Sequence, residues 1–156
     1  MRKKYVFIVL YLLLVLAGCS QNESNDSEMA LIKKTDPKPV LIDKKTKGNV
    51  DVAADIKKEI TSYKELYDVA VVKGTEDTLV VYKVKHLQRF HMKKIEKKIK
   101  GMLEKKFPDE KFTVSSDYKI FLEAIKLKEK MEKPDYSEEE ANKRLKEIIK
   151  LKKEMA

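Results

Sequence analysis

The chain is short of the residues that most often organise chemistry. Its 156 positions hold one cysteine, two histidines, four glycines, four prolines and no tryptophan. One cysteine excludes an internal disulfide framework and any zinc cluster built on several thiolates. Two histidines and no Gly-rich phosphate loop remove the usual residues of most metal- and nucleotide-dependent reactions. So few glycines and prolines exclude a loop-dominated scaffold. The remainder, 42% hydrophobic and 39% charged, is too apolar for a wholly disordered chain and fits one domain with appendages. Basic residues outnumber acidic ones, 35 to 26, for a formal charge of +9.

Arg2, Lys3 and Lys4 precede an unbroken apolar run from Val6 to Ala17, which closes at Gly18, Cys19 and the polar Ser20-Gln21-Asn22-Glu23. This is the layout of an export signal. Twelve helical residues rise only about 18 Å against roughly 30 Å of hydrocarbon, so removal is expected rather than a permanent span. Leu16-Ala17-Gly18-Cys19 resembles the lipobox of bacterial lipoproteins: an aliphatic residue, two small residues that let extended backbone enter a peptidase cleft, then the thiol that takes diacylglycerol. Acyl chains on Cys19, at about 0.8 kcal/mol per buried methylene, would fix the mature chain to membrane lipid on the outward face of a bacterial membrane. Loss of Arg2, Lys3 and Lys4 takes the +9 down by three.

The expected organisation is a lipoprotein signal peptide over 1–18, a flexible tether over 19–48, an α+β domain over 49–133 and a C-terminal amphipathic helix over 134–156. Residues 20–48 carry early acids and Thr35-Asp36-Pro37-Lys38-Pro39 without an apolar period, the composition of a linker; Val40, Leu41 and Ile42 offer a short strand or a partner-binding patch. Ala53, Ile56, Ile60, Tyr63 and Tyr67 recur at three and four residues and predict a helix over 51–67. Val69-Ala70-Val71-Val72 and Thr78 to Lys85 predict a hairpin turning at Lys73 to Asp77. Met92, Ile95, Ile99, Met102, Leu103 and Phe107 mark a second helix ended by Pro108, and Lys111 to Ser115 a third strand.

The order α-β-β-α-β predicts a three-stranded sheet with helices on one face around a single core, followed by C-terminal helices. Ser116 or Asp117 is expected to cap a helix reaching Met131, with Phe121, Leu122, Ile125 and Leu127 on its buried side. Ser137-Glu138-Glu139-Glu140 has the form of a capping box before the last helix. Phe90 is expected to close the core, and Tyr63, Tyr67, Tyr82 and Tyr118 to fill its edges.

Four features together resemble the YhcN/YlaJ family of sporulation lipoproteins, closest to the YlaJ branch. They are the lipobox, the strand Asp68-Val69-Ala70-Val71-Val72, the strand Val80-Val81-Tyr82-Lys83-Val84, and Phe112-Thr113-Val114-Ser115-Ser116-Asp117 running into a helix. The resemblance spans about 50–132 and the signal. It implies placement on the spore inner membrane and a role in germination or outgrowth, exerted by docking a protein partner of the germination machinery rather than by catalysis. It supplies no catalytic residues and no cofactor.

Between Lys83 and Lys106 the basic residues Lys83, Lys85, Arg89, Lys93, Lys94, Lys97, Lys98, Lys100, Lys105 and Lys106 face only Glu96 and Glu104. Helical spacing puts the seven lysines from Lys93 on away from Ile95 and Ile99, so a cationic strip is expected. Such a strip suits anionic lipid or an envelope polyanion, at about 1 kcal/mol per lysine near an anionic surface, which is the alternative function. Nucleic acid is not expected as a partner, because no helix-turn-helix spacing or aromatic platform is present and an exported chain leaves most nucleic acid behind. His86 and His91 lack the further ligands zinc needs, and Arg89 between them repels a cation, so no metal site is expected. Ser115, Ser116 and Asp117 suit capping better than nucleophilic catalysis.

Overall fold

The computed structural model describes residues 34–43 and 47–155. The signal segment, Leu16 to Cys19 and most of the expected tether lie outside those residues. The described elements are β1 (Val40–Leu41), α1 (Lys47–Thr61), β2 (Leu66–Lys73), β3 (Asp77–Val84), a 3-10 turn (His86–His91), α2 (Met92–Lys106), β4 (Lys111–Ser115), α3 (Tyr118–Met131) and α4 (Glu138–Glu154). The α+β class expected from the sequence is what forms.

The sheet has four strands, not three, in the order β1-β2-β3-β4. The hairpin β2–β3 is antiparallel at its centre, and each outer strand runs parallel to its neighbour. The fourth strand comes from within the stretch read as tether. Val40 pairs with Val72, Leu41 pairs with Lys73, and Ile42 is fully buried. Upstream, the Asp68 carboxylate accepts hydrogen bonds from the Thr35 amide and hydroxyl, both at 2.9 Å, and from the Asp36 amide at 3.1 Å. Lys57 donates to Asp36 and to the Pro37 carbonyl from α1. A weak apolar triplet becomes a strand because side chains on both sides hold the residues before it.

Helices cover both faces of the sheet rather than one. On the first face, Ala53, Ile56 and Ile60 of α1 and Ile95, Ile99 and Leu103 of α2 pack on Val69, Val71, Val80 and Tyr82. On the second, Ile120, Phe121, Ala124 and Leu127 of α3 and Ala141, Leu145, Ile148 and Ile149 of α4 pack on Ala70, Val72, Leu79 and Val81. There are thus two cores, separated by the sheet. Alternate residues of β2 and β3 feed opposite cores, which is why both strands read as continuous apolar runs instead of alternating ones.

Local chemistry sets the helix ends. Asp117 accepts from the amides of Lys119 and Ile120 and starts α3, and Ser137 with Glu140 forms a complete capping box at α4. The helix α1 stops at Thr61, short of the expected 67, because Leu66 and Tyr67 are taken into β2. Leu122 is exposed and Ile125 only partly buried; Ile120 and Ala124 hold the core positions instead. Phe90 does not close the core: it is 92% exposed. The 3-10 turn that carries it has no buried residue and projects from the end of the sheet.

Candidate anionic-surface site

Helix α2 is seated by Ile95, Ile99 and Leu103, four residues apart on one side, which leaves the lysines facing out. All seven lysines of the expected strip, Lys93, Lys94, Lys97, Lys98, Lys100, Lys105 and Lys106, are exposed. The helix dipole favours Lys105 and Lys106 in the last turn, but it does not explain the lysines at the start. The first turn holds Lys93 and Lys94 and no acid, and His91 provides no side-chain cap, so cations sit at the positive end of the helix dipole. The contrast with α4 is direct, since its first turn carries Glu138, Glu139 and Glu140.

The strip divides in two. Towards α1, Lys98 approaches Glu65 at 3.7 Å and lies over the Tyr63 ring, and Lys106 pairs with Glu59. Lys100 reaches Glu104 along the helix. Among the described residues no carboxylate lies within ion-pair distance of Lys93, Lys94, Lys97 or Lys105. Lys83, counted with the basic run, is not on the surface at all. It is buried against Asp68 at 3.2 Å and lies over the Phe121 ring at 4.3 Å.

A cleft of about 550 Å³ opens beside α2, between that helix, the β4–α3 junction and the end of α4. Lys93, Lys97 and Lys100 form one wall; Lys152 and Met155 of the last turn form another, with Lys152 held by Glu96 at 3.2 Å. Ser115, Ser116 and Asp117 line the floor. The Ser115 hydroxyl accepts from the Asp117 amide, so these residues are tied into the cap as expected for a strand-to-helix junction. The β3–β4 register, with Val81 beside Ser115, carries Tyr82 next to Ser116. Its phenol is buried without a well-formed hydrogen bond among the described residues; burial, with the Glu96 carboxylate second, pushes its pKa well up against a weaker pull from the Ser116 side chain, keeping it neutral.

Sequence reasoning located α2 and its cations but not the cleft. Lys152, some fifty residues further along, reaches it only because α3 and α4 fold back over the second face. His86 and His91 are both exposed, and among the described residues no three His, Cys, Asp or Glu side chains converge as a metal site would require. Among the same residues no helix is long and apolar enough to cross a membrane. No family model, no curated protein and no solved structure matches the chain.

Proposed function

We propose that this chain is a non-catalytic membrane lipoprotein of the spore, held by acylated Cys19, that acts in germination or outgrowth by contact rather than by reaction. The lipobox and the strand phrases shared with the YhcN/YlaJ lipoproteins support the anchor and the setting. Of the two kinds of partner expected, a protein of the germination machinery and an anionic surface, the geometry supports the second better. One observation carries this: Lys93, Lys94, Lys97 and Lys105 stand exposed on one helix with no carboxylate in ion-pair range among the described residues, while Lys98 and Lys106 close by are pinned to acids of the same domain. Cations in the first turn cost helix stability, and an anionic layer against them returns it.

The test uses the acylated protein in vesicles. Lysine-directed labelling of Lys93, Lys94 and Lys97 is expected to drop when neutral phosphatidylcholine is replaced by phosphatidylglycerol, and to recover in high salt. Equal labelling on both lipids would rule out the anionic surface. Crosslinking in intact spores that recovers a single protein through these lysines would favour the germination partner instead. Cys19→Ala is expected to remove the lipid modification, read by mass spectrometry of the membrane fraction.

A further inference from the structure

Among the described residues the large apolar side chains most open to solvent are on the 3-10 turn His86–His91. Leu87 is 80% exposed and Phe90 92%, and Met92 just beyond is 36% exposed. With three residues per turn, positions 87 and 90 stack on one side of a 3-10 turn, so the two side chains form a single tip. The turn is not a frayed end. Gln88 donates to the Lys85 carbonyl, the Met92 amide donates to the Arg89 carbonyl, and the Lys85 amide donates to the Glu65 carbonyl at the start of β2.

Around this tip basic residues predominate, and the nearest acids, Asp36, Glu65, Asp68 and Glu96, are each paired with a lysine of the domain. Lys85 and Arg89 flank it, and Lys93, Lys94 and Lys97 follow on the adjoining helix. Lys34, Asp36, Tyr67, Asp68 and Lys85 line one cleft of about 320 Å³, so the first described residue and the residue just before the turn lie at the same end of the domain. Only residues 20–33 separate Lys34 from Cys19.

We infer that the His86–His91 turn is a membrane wedge: Leu87 and Phe90 enter the acyl boundary of an anionic bilayer while Arg89 and the first lysines of α2 hold its headgroups. This rests on the lipid-anchor reading above and deepens it. Two apolar side chains are far too little area for a stable protein interface, whose centre is also depleted of lysine. They suffice for a domain already tethered to the same bilayer, because the tether supplies the effective concentration and the wedge only orients what it holds. Apolar residues ringed by lysine and arginine are the surface pattern of segments that lie in an anionic interface.

The absence of tryptophan makes the test direct, because Phe90→Trp introduces the only indole of the chain at an exposed position. The acylated F90W protein is placed in vesicles of phosphatidylcholine alone or mixed with phosphatidylglycerol. Expected in the mixed vesicles are a blue-shifted emission and about twofold quenching by lipids brominated on their acyl chains, both reduced by a further Leu87→Ser change. A water-like emission with no bromolipid quenching, while the α2 lysines are protected from labelling, overturns the wedge and leaves headgroup binding standing. Water-like emission with unprotected lysines overturns both. A blue shift that appears only when spore-membrane proteins are added assigns the tip to a protein partner and likewise overturns the wedge.

Discussion

Lys83 and Asp68 face each other across β2 and β3, ammonium to carboxylate 3.2 Å, and the Asp68 side chain is wholly removed from solvent. The same carboxylate holds Thr35 and Asp36, so one buried acid serves both the sheet and the segment leading into it. Rings complete the surroundings of the ammonium, with Phe121 at 4.3 Å and Tyr67 and Tyr118 at 5.7 Å. Asp68→Ala leaves Lys83 charged and buried without a counter-ion, and is expected to cost about 3–5 kcal/mol in urea denaturation. The amides of Thr35 and Asp36 should then exchange with deuterium faster than those of β3. A loss below about 1 kcal/mol would mean that Lys83 swings into water at little cost.

Two glycines give opposite expectations. A Cβ on Gly74, in the β2–β3 turn, would stand 2.5 Å from Leu145 Cδ2, 3.0 Å from the Asn142 side-chain oxygen and 3.1 Å from the Asp77 carbonyl. Gly74→Ala should push α4 away from the hairpin and lose about 1–3 kcal/mol. Gly101 lies inside α2 with nothing within 4 Å of the added carbon, so Gly101→Ala should gain about 0.5–1 kcal/mol from helix propensity alone. Thermal melts of the two variants check both signs.

Acid should loosen the second layer. The Lys126 hydrogen bond, aided by Arg144, holds the Glu123 carboxyl below its ordinary value of 4.5. The Ser137 amide does the same for Glu140, and Arg144 for Glu147. Each carboxylate binds its proton less readily folded than unfolded. Their contributions are therefore present above pH 4.5 and lost as pH falls below it through the folded values. Melting temperature should drop over that range, and Glu123→Gln should shrink the drop while lowering stability at neutral pH. A variant with the same pH slope as the parent would show that the α3–α4 clamp is not what acid releases.

Charge reversal should separate the two halves of the cationic strip. Lys93→Glu with Lys97→Glu removes cations that meet no carboxylate among the described residues and puts an acid in the first turn of α2, so melting temperature should hold or rise slightly while protection of Lys94 on phosphatidylglycerol vesicles is lost. Lys98→Glu with Lys106→Glu breaks surface pairs with Glu65 and Glu59 and the contact over Tyr63, for at most about 1 kcal/mol, and should weaken headgroup protection less. Identical effects of the two pairs would mean that the strip acts as one diffuse charge.

The helices and strands from Val69 to Glu154, the 3-10 turn apart, were legible because their signals are local: apolar runs, helical spacing, and the Asp117 and Ser137 caps. The second layer was not, although Val69 to Val72 and Leu79 to Tyr82 carry its mark, since a strand apolar at every position needs cover on both faces. Strand β1 was open as one of two alternatives, a short strand or a partner-binding patch, and the sequence could not choose between them. Thr35, Asp36 and Pro37, just before it, are held by Asp68 and Lys57, distant in sequence, and no periodicity reports such contacts. Phe90 misled because an isolated aromatic beside an amphipathic helix is normally core. Its three-residue spacing from Leu87, out of step with Ile95 and Ile99, was the available sign. On the candidate site, the cations could be counted from the sequence, but which of them the domain neutralises internally depended on Glu59 and Glu65, contributed by other elements.

The sheet's outer rails have one more consequence. Strand β1 is two residues long, and β4 is five and begins with Lys111, so neither border offers a length of free backbone on which another copy could build. Joining two such domains edge to edge would form only a short ladder of backbone hydrogen bonds, broken off after two residues at one border and meeting a lysine at the other.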